Sequence, residues 1–204
     1  MAHNVITIAR GYGSGGKTVG KRLAQQLGIA YYDRDLIRIA SEESGIHERL
    51  FGQVDERLKG SLFKKGSGYR ETPASPGSDD FVSDDNLFAL QAQTIRRLAE
   101  EQSCVIVGRC GDFVLRDHPG VVRVFIHACK EACIRNIVEM YGVSEKEAER
   151  DMERIDRTRS AYYRYYTGHD WDNARNYDLC LDSSRLGYDK CVEIIEGYLT
   201  VRNR

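Results

Sequence analysis

The fold is decided by Val5-Ile-Thr-Ile-Ala-Arg-Gly-Tyr-Gly-Ser-Gly-Gly-Lys-Thr18, read as VITIARGYGSGGKT. Val5 to Ala9 is a short, mostly β-branched run that reads as a strand. Gly11 to Thr18 then satisfies G-x-x-x-x-G-K-[ST] in full. From Thr18, the residues Val19, Leu23, Ala24 and Leu27 recur at helical spacing, and Gly28 sits where a helix stops. Strand, glycine turn and helix occur in the order that this motif requires.

Each part of the motif has a physical task. Gly11, Gly13, Gly15 and Gly16, with Ser14, let the backbone turn so that successive N–H groups face a polyphosphate. The positive end of the following helix adds to the attraction. Lys17 is expected to reach the β- and γ-phosphates, and the Thr18 hydroxyl to ligate Mg²⁺. The loop therefore predicts ATP with Mg²⁺ as the cofactor pair. It does not by itself separate kinase, GTPase, ATPase and binding module. No NKxD-type guanine motif is evident, and the stretch VIVGRC ends without the second carboxylate that motor ATPases use.

Outward from the loop, strand and helix alternate. Ile29 to Tyr32 reads as a second strand, closed by Asp33, Arg34 and Asp35, and Leu36 to Ser44 as a helix. Residues 41–85 read as an insert. Its part from Lys59 to Asp85, rich in glycine and serine and holding Pro73 and Pro76, is expected to be mobile without ligand. Asn86 to Glu101 reads as a helix, Cys104 to Val107 and Val121 to His127 as strands, and Ala128 to Met140 as a helix. Ser144 with Glu147 forms a capping-box signature that opens a long helix to Tyr166. Asp178 to Leu181 reads as the last strand and Tyr188 to Leu199 as the closing helix. Such repetition predicts an α/β domain with a parallel sheet covered on both faces.

Composition excludes several classes. The 204 residues are 41% hydrophobic and 30% charged, enough to build one core without disulfides or a structural metal. Thirty basic and 31 acidic residues give a formal net charge of −1, so nucleic acid is not an expected partner. No apolar run reaches the ~20 residues of a membrane span. The start MAHNVITIARG carries no signal-like segment, which predicts a cytoplasmic protein. The six cysteines form no Cys-x-x-Cys pair and read as reduced, apolar-like residues.

The blocks ITIARGYGSGGKTVGKRLAQQLG, YYDRDLI, VIVGRCGDFVL, IDRTRSAYYRYY and YDLCLDSS together resemble the cytidylate kinase-like family of small P-loop kinases. The resemblance covers nearly the whole chain. It implies a P-loop NTPase fold: a five-stranded parallel CORE sheet of order 2-3-1-4-5 flanked by helices, an NMP-binding insert and a helical LID. On that reading 1–40 and 86–204 are CORE, 41–85 the acceptor-binding insert, and 144–172 the LID region. It implies phosphoryl transfer from ATP to a nucleoside monophosphate, with CMP or dCMP foremost. Asp156 and Arg159 match a D-x-x-R element that contacts the acceptor nucleotide, and Arg109 a strand-end arginine that holds its phosphate. Two departures stand out. Cys110 follows Arg109 where the cytidylate kinases carry Asp, and Arg34-Asp35 follows Asp33 where they carry Ser-Gly.

The residues themselves add an anion-rich segment, with Arg150, Arg154, Arg157, Arg159 and Arg164 crowded together. Arg159 falls on the apolar side of its helix, where it needs a partner such as Asp156 or a phosphate. Lys17, Arg109, Arg159 and Asp35 are the candidate catalytic residues. Asp33, Arg34, Arg109, Asp156 and Arg159 are the expected acceptor contacts, and Arg154 and Arg157 join the phosphate loop as ATP contacts. Asp33-Arg34-Asp35 also resembles the D-x-D of shikimate and dephospho-coenzyme-A kinases, which keeps a small-molecule hydroxyl open as the acceptor. A nucleotide-binding regulatory module is the third reading. A nucleotide or small-molecule acceptor is the only partner expected, and the assembly is a monomer or a homodimer.

Overall fold

The computed structural model describes residues 3–57 and 72–203. Five strands form one parallel sheet: β1 (Val5–Arg10), β2 (Ala30–Tyr32), β3 (Cys104–Val107), β4 (Val121–His127) and β5 (Leu179–Asp182), in the order β2-β3-β1-β4-β5. The pairing places Ile8 beside Val107 and Val124, and Val124 beside Leu179. The α/β architecture and the strand order expected from the sequence are both present.

Alternation along the strands explains the two covered faces. Val5, Cys104 and Ile106 point to one face, where they join Leu36, Phe51, Phe88 and Ile95. Ile6, Ile8, Val105 and Val107 point to the other, against Val19, Leu23, Val192 and Ile195. The first face is covered by α2 (Asp35–Ser44), α3 (Glu48–Arg57) and α4 (Asp84–Glu101). The second is covered by α1 (Gly16–Leu27) and α8 (Ser183–Arg202). The short α5 (Gly111–Val114) follows β3, and α6 (Lys130–Tyr141) and α7 (Glu145–Thr167) lie between β4 and β5.

The expected capping box closes the start of α7: Ser144 Oγ accepts from Glu147 N, and Glu147 Oε2 accepts from Ser144 N at 3.1 Å. The far half of α7 does not behave as a detached flap. Tyr162, Tyr163 and Tyr166 are buried in the main core, with Tyr166 stacked on Phe88 at 3.9 Å.

The insert carries structure of its own among the described residues. It holds α3, anchored by the fully buried Phe51. The segment 72–83 is stitched to α4 by buried Asn86, whose side chain accepts from Ala74 N at 2.6 Å and donates to Phe81 O at 2.7 Å. These two hydrogen bonds tie that part of the expected loop to α4. Residues 59–71 of the same expectation lie outside the described residues. All six cysteines are free. Among the described residues no helix is long and apolar enough to cross a membrane.

Candidate active site

The strands all end at one edge of the sheet, where parallel α/β folds place their ligands. A cleft of about 560 Å³ opens there, lined by the phosphate loop, the ends of β2 and β3, and parts of α6 and α7. The loop is held from below. Gly11 N donates to Ile126 O at 3.0 Å, and Ser14 Oγ donates to Gly11 O at 2.9 Å. Ser183 Oγ, within hydrogen-bonding reach of Ser14 O (2.7 Å) and His127 O (3.1 Å), ties the loop to the ends of β4 and β5. Two of the glycines are there by steric necessity. Gly13 (φ +82°) leaves only 2.6 Å between a would-be Cβ and Cys133 O, and at Gly15 (φ +77°) a Cβ would run into the Tyr188 ring.

Lys17 leaves the first turn of α1 and pairs with Asp33 at the end of β2, Nζ to Oδ2 2.6 Å. Both line the cleft, as do Thr18, Arg34 and Arg109. Gly108, Arg109 and Cys110 all adopt left-handed backbone, at φ 78°, 57° and 53°. For Arg109 and Cys110 that conformation costs roughly 1–2 kcal/mol each. It is a strained turn at a strand end facing a cleft, the kind of place where strain accompanies function.

Asp156 and Arg159 meet the loop from α7. Arg159 Nη1 donates to Asp156 Oδ1 and to Arg10 O, both at 3.0 Å. Asp156 in turn accepts from Tyr12 N at 2.9 Å. The partner that Arg159 needed is therefore present, and the pair clamps α7 onto the phosphate loop. Burial pushes the Asp156 carboxyl up and the Arg159 guanidinium down, and each opposes the shift of the other. The Arg159 guanidinium also lies 5.6 Å from the centre of the Tyr12 ring, which is stacked parallel to Tyr141.

Four expected residues do not line the cleft. Asp35 is exposed in the first turn of α2 and does not line the cleft; its charge favours the start of that helix. Arg157 is exposed on α7 and does not reach the cleft, because one step round the helix separates it from the face that carries Ile155, Thr158 and Arg159. Arg154 does line the cleft and is paired with Asp151 at 2.9 Å. Ser14 and Asp156 act from beneath, as supports of the loop.

Sequence reasoning missed Arg10, Asp112 and Asn136. Arg10 closes an otherwise buried apolar strand, and that break in pattern was the available signal. Asp112 interrupts the apolar block VIVGRCGDFVL. It lines the cleft, is almost fully buried and accepts from Tyr163 Oη at 2.6 Å. Burial pushes its carboxyl up to about 6, against the opposing hydrogen bond from Tyr163. Asn136 donates to Gly13 O at 2.7 Å, and nothing in its helical context marked it.

The sequence pattern of the cytidylate kinase-like family matches residues 5–185. A cytidylate kinase of Methanopyrus kandleri is 26% identical over 202 residues, 95% of this chain and 91% of that protein. An uncharacterized protein from Eubacterium ventriosum, known from its crystal structure, is 27% identical with a TM-score of 0.70, covering 96% of this chain and 98% of the other. A shikimate kinase from Bacteroides thetaiotaomicron superposes with a TM-score of 0.55 at 13% identity, covering 96% and 98%, which is a likeness of fold.

Proposed function

From the premise that this chain belongs to the cytidylate kinase-like family and is a phosphotransferase, we propose that it transfers the γ-phosphoryl group of ATP to a nucleoside monophosphate, CMP or dCMP first among them. The observation that carries the reading is one cleft in which the phosphate loop faces Arg109 and Arg159. A phosphate acceptor is already an anion and needs arginines more than it needs a base. The named activity of the Methanopyrus relative points the same way.

The residues present fit ATP and Mg²⁺. The N–H groups of the first turn of α1 have no acceptor within the helix, and Gly16, Lys17 and Thr18 line the cleft. Backbone from Gly11 to Thr18 would hold the polyphosphate, and Thr18 Oγ1 the metal. Bound there, ATP supplies the phosphoryl group and Mg²⁺ offsets its charge. With ATP bound, Lys17 would turn from Asp33 to phosphate oxygens, leaving the Asp33 carboxylate without that partner. Arg159, fixed by Asp156, meets charge developing between donor and acceptor without having to reorganise. Arg154 adds charge from the cleft rim, and Arg34 lies at the mouth on the β2 side.

Two carboxylates in the cleft, Asp33 and Asp112, sustain a second reading in which the acceptor is a hydroxyl and one of them takes its proton. A coupled assay of ADP release over the nucleoside monophosphates, shikimate and dephospho-coenzyme A decides between them. Turnover with CMP or dCMP is the expected result. Turnover with shikimate or dephospho-coenzyme A alone would replace the first reading with the second.

A further inference from the structure

Arg10 is the last residue of β1 and lines the cleft. Its Nε is shielded from solvent and has no hydrogen-bond partner. The two carboxylates nearest the loop are engaged elsewhere: Asp33 with Lys17, and Asp156 with Arg159 and Tyr12 N. Burial first, then the neighbouring cations Arg159 and Arg109, oppose its charge against the attraction of Asp33, and its guanidinium is pushed down to about 9. A confined cation among like charges is costly unless an anion arrives.

Its position says which anion. The guanidinium packs against Gly108 at the end of β3 so closely that a Cβ there would strike it, and the carboxylate of Asp33 at the end of β2 acts on it with opposite charge. It thus leans to the β2–β3 side of the loop. The opposite side is occupied by Cys133 and Asn136 of α6 and Tyr188 of α8. Lys17 and the start of α1 already serve the polyphosphate. Arg10 Nη1 lies against Gly108, the residue before Arg109.

We propose that Arg10 is an acceptor-binding residue that, with Arg109 and Arg159, holds the phosphate of a phosphate-bearing acceptor. The inference rests on the kinase reading above and narrows it: the acceptor is recognised through a dianion, and a neutral hydroxy compound does not satisfy the site. The fork of Arg10 supplies two or more charge-assisted N–H contacts to phosphate oxygens.

The test uses the full chain with the phosphate loop first saturated by AMP-PNP and Mg²⁺. Calorimetry then compares CMP with cytidine as probes. Wild type is expected to bind CMP far more tightly than cytidine. Arg10→Met should cut that discrimination by about ten- to hundredfold, the range for loss of hydrogen bonds to a charged group. Arg10→Lys should fall between the two. AMP-PNP binding should change by less than about threefold. Because the substitution removes a confined, unpaired charge, the apo Tm of Arg10→Met should equal or exceed that of wild type. Arg10→Lys carries the same comparison if Arg10→Met does not fold.

Unchanged CMP discrimination in a variant that binds AMP-PNP normally overturns the inference and leaves the kinase reading intact. Loss of AMP-PNP binding in parallel with CMP moves Arg10 to the donor side and also overturns it. If wild type binds none of AMP, CMP, dCMP, GMP or UMP yet phosphorylates a phosphate-free hydroxy compound, the acceptor class is wrong. If it binds AMP-PNP but, supplied with ATP and Mg²⁺, transfers a phosphoryl group to no acceptor, the kinase reading fails with it.

Discussion

Asp156 is the residue on which the geometry of the cleft makes the largest demand. Replacing it by alanine removes the acceptor for Tyr12 N and the counter-charge for Arg159. The side chains of Arg159 and Asp156 are 20% and 29% exposed, so solvent relieves only part of the loss. Breaking a fully buried ion pair costs about 3–5 kcal/mol, and an unsatisfied buried donor about 1–3. Discounted for the exposed fraction, Asp156→Ala should cost about 3 kcal/mol, or roughly 6–12 °C in Tm for a chain of this size. Asp156→Asn retains an acceptor for Tyr12 N and should lose about half as much. The informative measurement is the double variant. In Asp156→Ala/Arg159→Met no stranded charge remains, so stability should recover by about 1–2 kcal/mol over Asp156→Ala alone. Thermal and urea unfolding of the four proteins, with AMP-PNP affinity measured beside them, complete the cycle. A Tm within 2 °C of wild type for Asp156→Ala, or no recovery in the double variant, would refute the clamp between α7 and the phosphate loop.

Two further outcomes follow from the same cleft. Lys17→Ala should lower kcat by at least about a hundredfold, with little change in Tm, because its contact to Asp33 is made by a side chain that is 46% exposed; near-normal turnover in the folded variant would remove Lys17 from the chemistry. Asp112, pushed up to about 6 from an ordinary 3.8, binds its proton more tightly in the folded chain, so its favourable contribution is full below pH 4 and lost as pH rises through 6. Asp112→Asn should therefore stabilise the protein at pH 7 by on the order of 2–3 kcal/mol, with the gain vanishing toward pH 4; a pH-independent difference in Tm would show that Asp112 is ionised throughout.

The fold was legible because its signals are local and repeated. Each strand is a short apolar run, each helix a 3.6-residue pattern, and the glycine loop joins one of each in a fixed order. Parallel pairing follows from that alternation. The insert was harder to read for the same reason. Its order depends on Phe51 meeting α4 and on the Asn86 side chain spanning from Ala74 to Phe81, contacts that no window of sequence contains. A polar, proline-bearing stretch reads as mobile until the one buried amide that satisfies its backbone is known.

The site divides along the same line. Gly11 to Thr18 was readable because one contiguous segment carries the whole task. Arg159 was readable as a misplaced charge on an apolar helix side, and its answer, Asp156, stood three residues away. Arg10 had the same kind of signal: a cation closing a strand whose other residues are all buried. Its answer lies on three other elements, at Gly108, Asp33 and Arg159, which only the sheet order brings together. The same holds for the run Gly108-Arg109-Cys110. Composition gives no reason for two non-glycine residues to take left-handed backbone. In the fold, the turn sets Arg109 and Cys110 both on the cleft wall, with Cys110 also packed into the core. Cys110, which departs from the family pattern, therefore has a packing role as well as a place in the cleft.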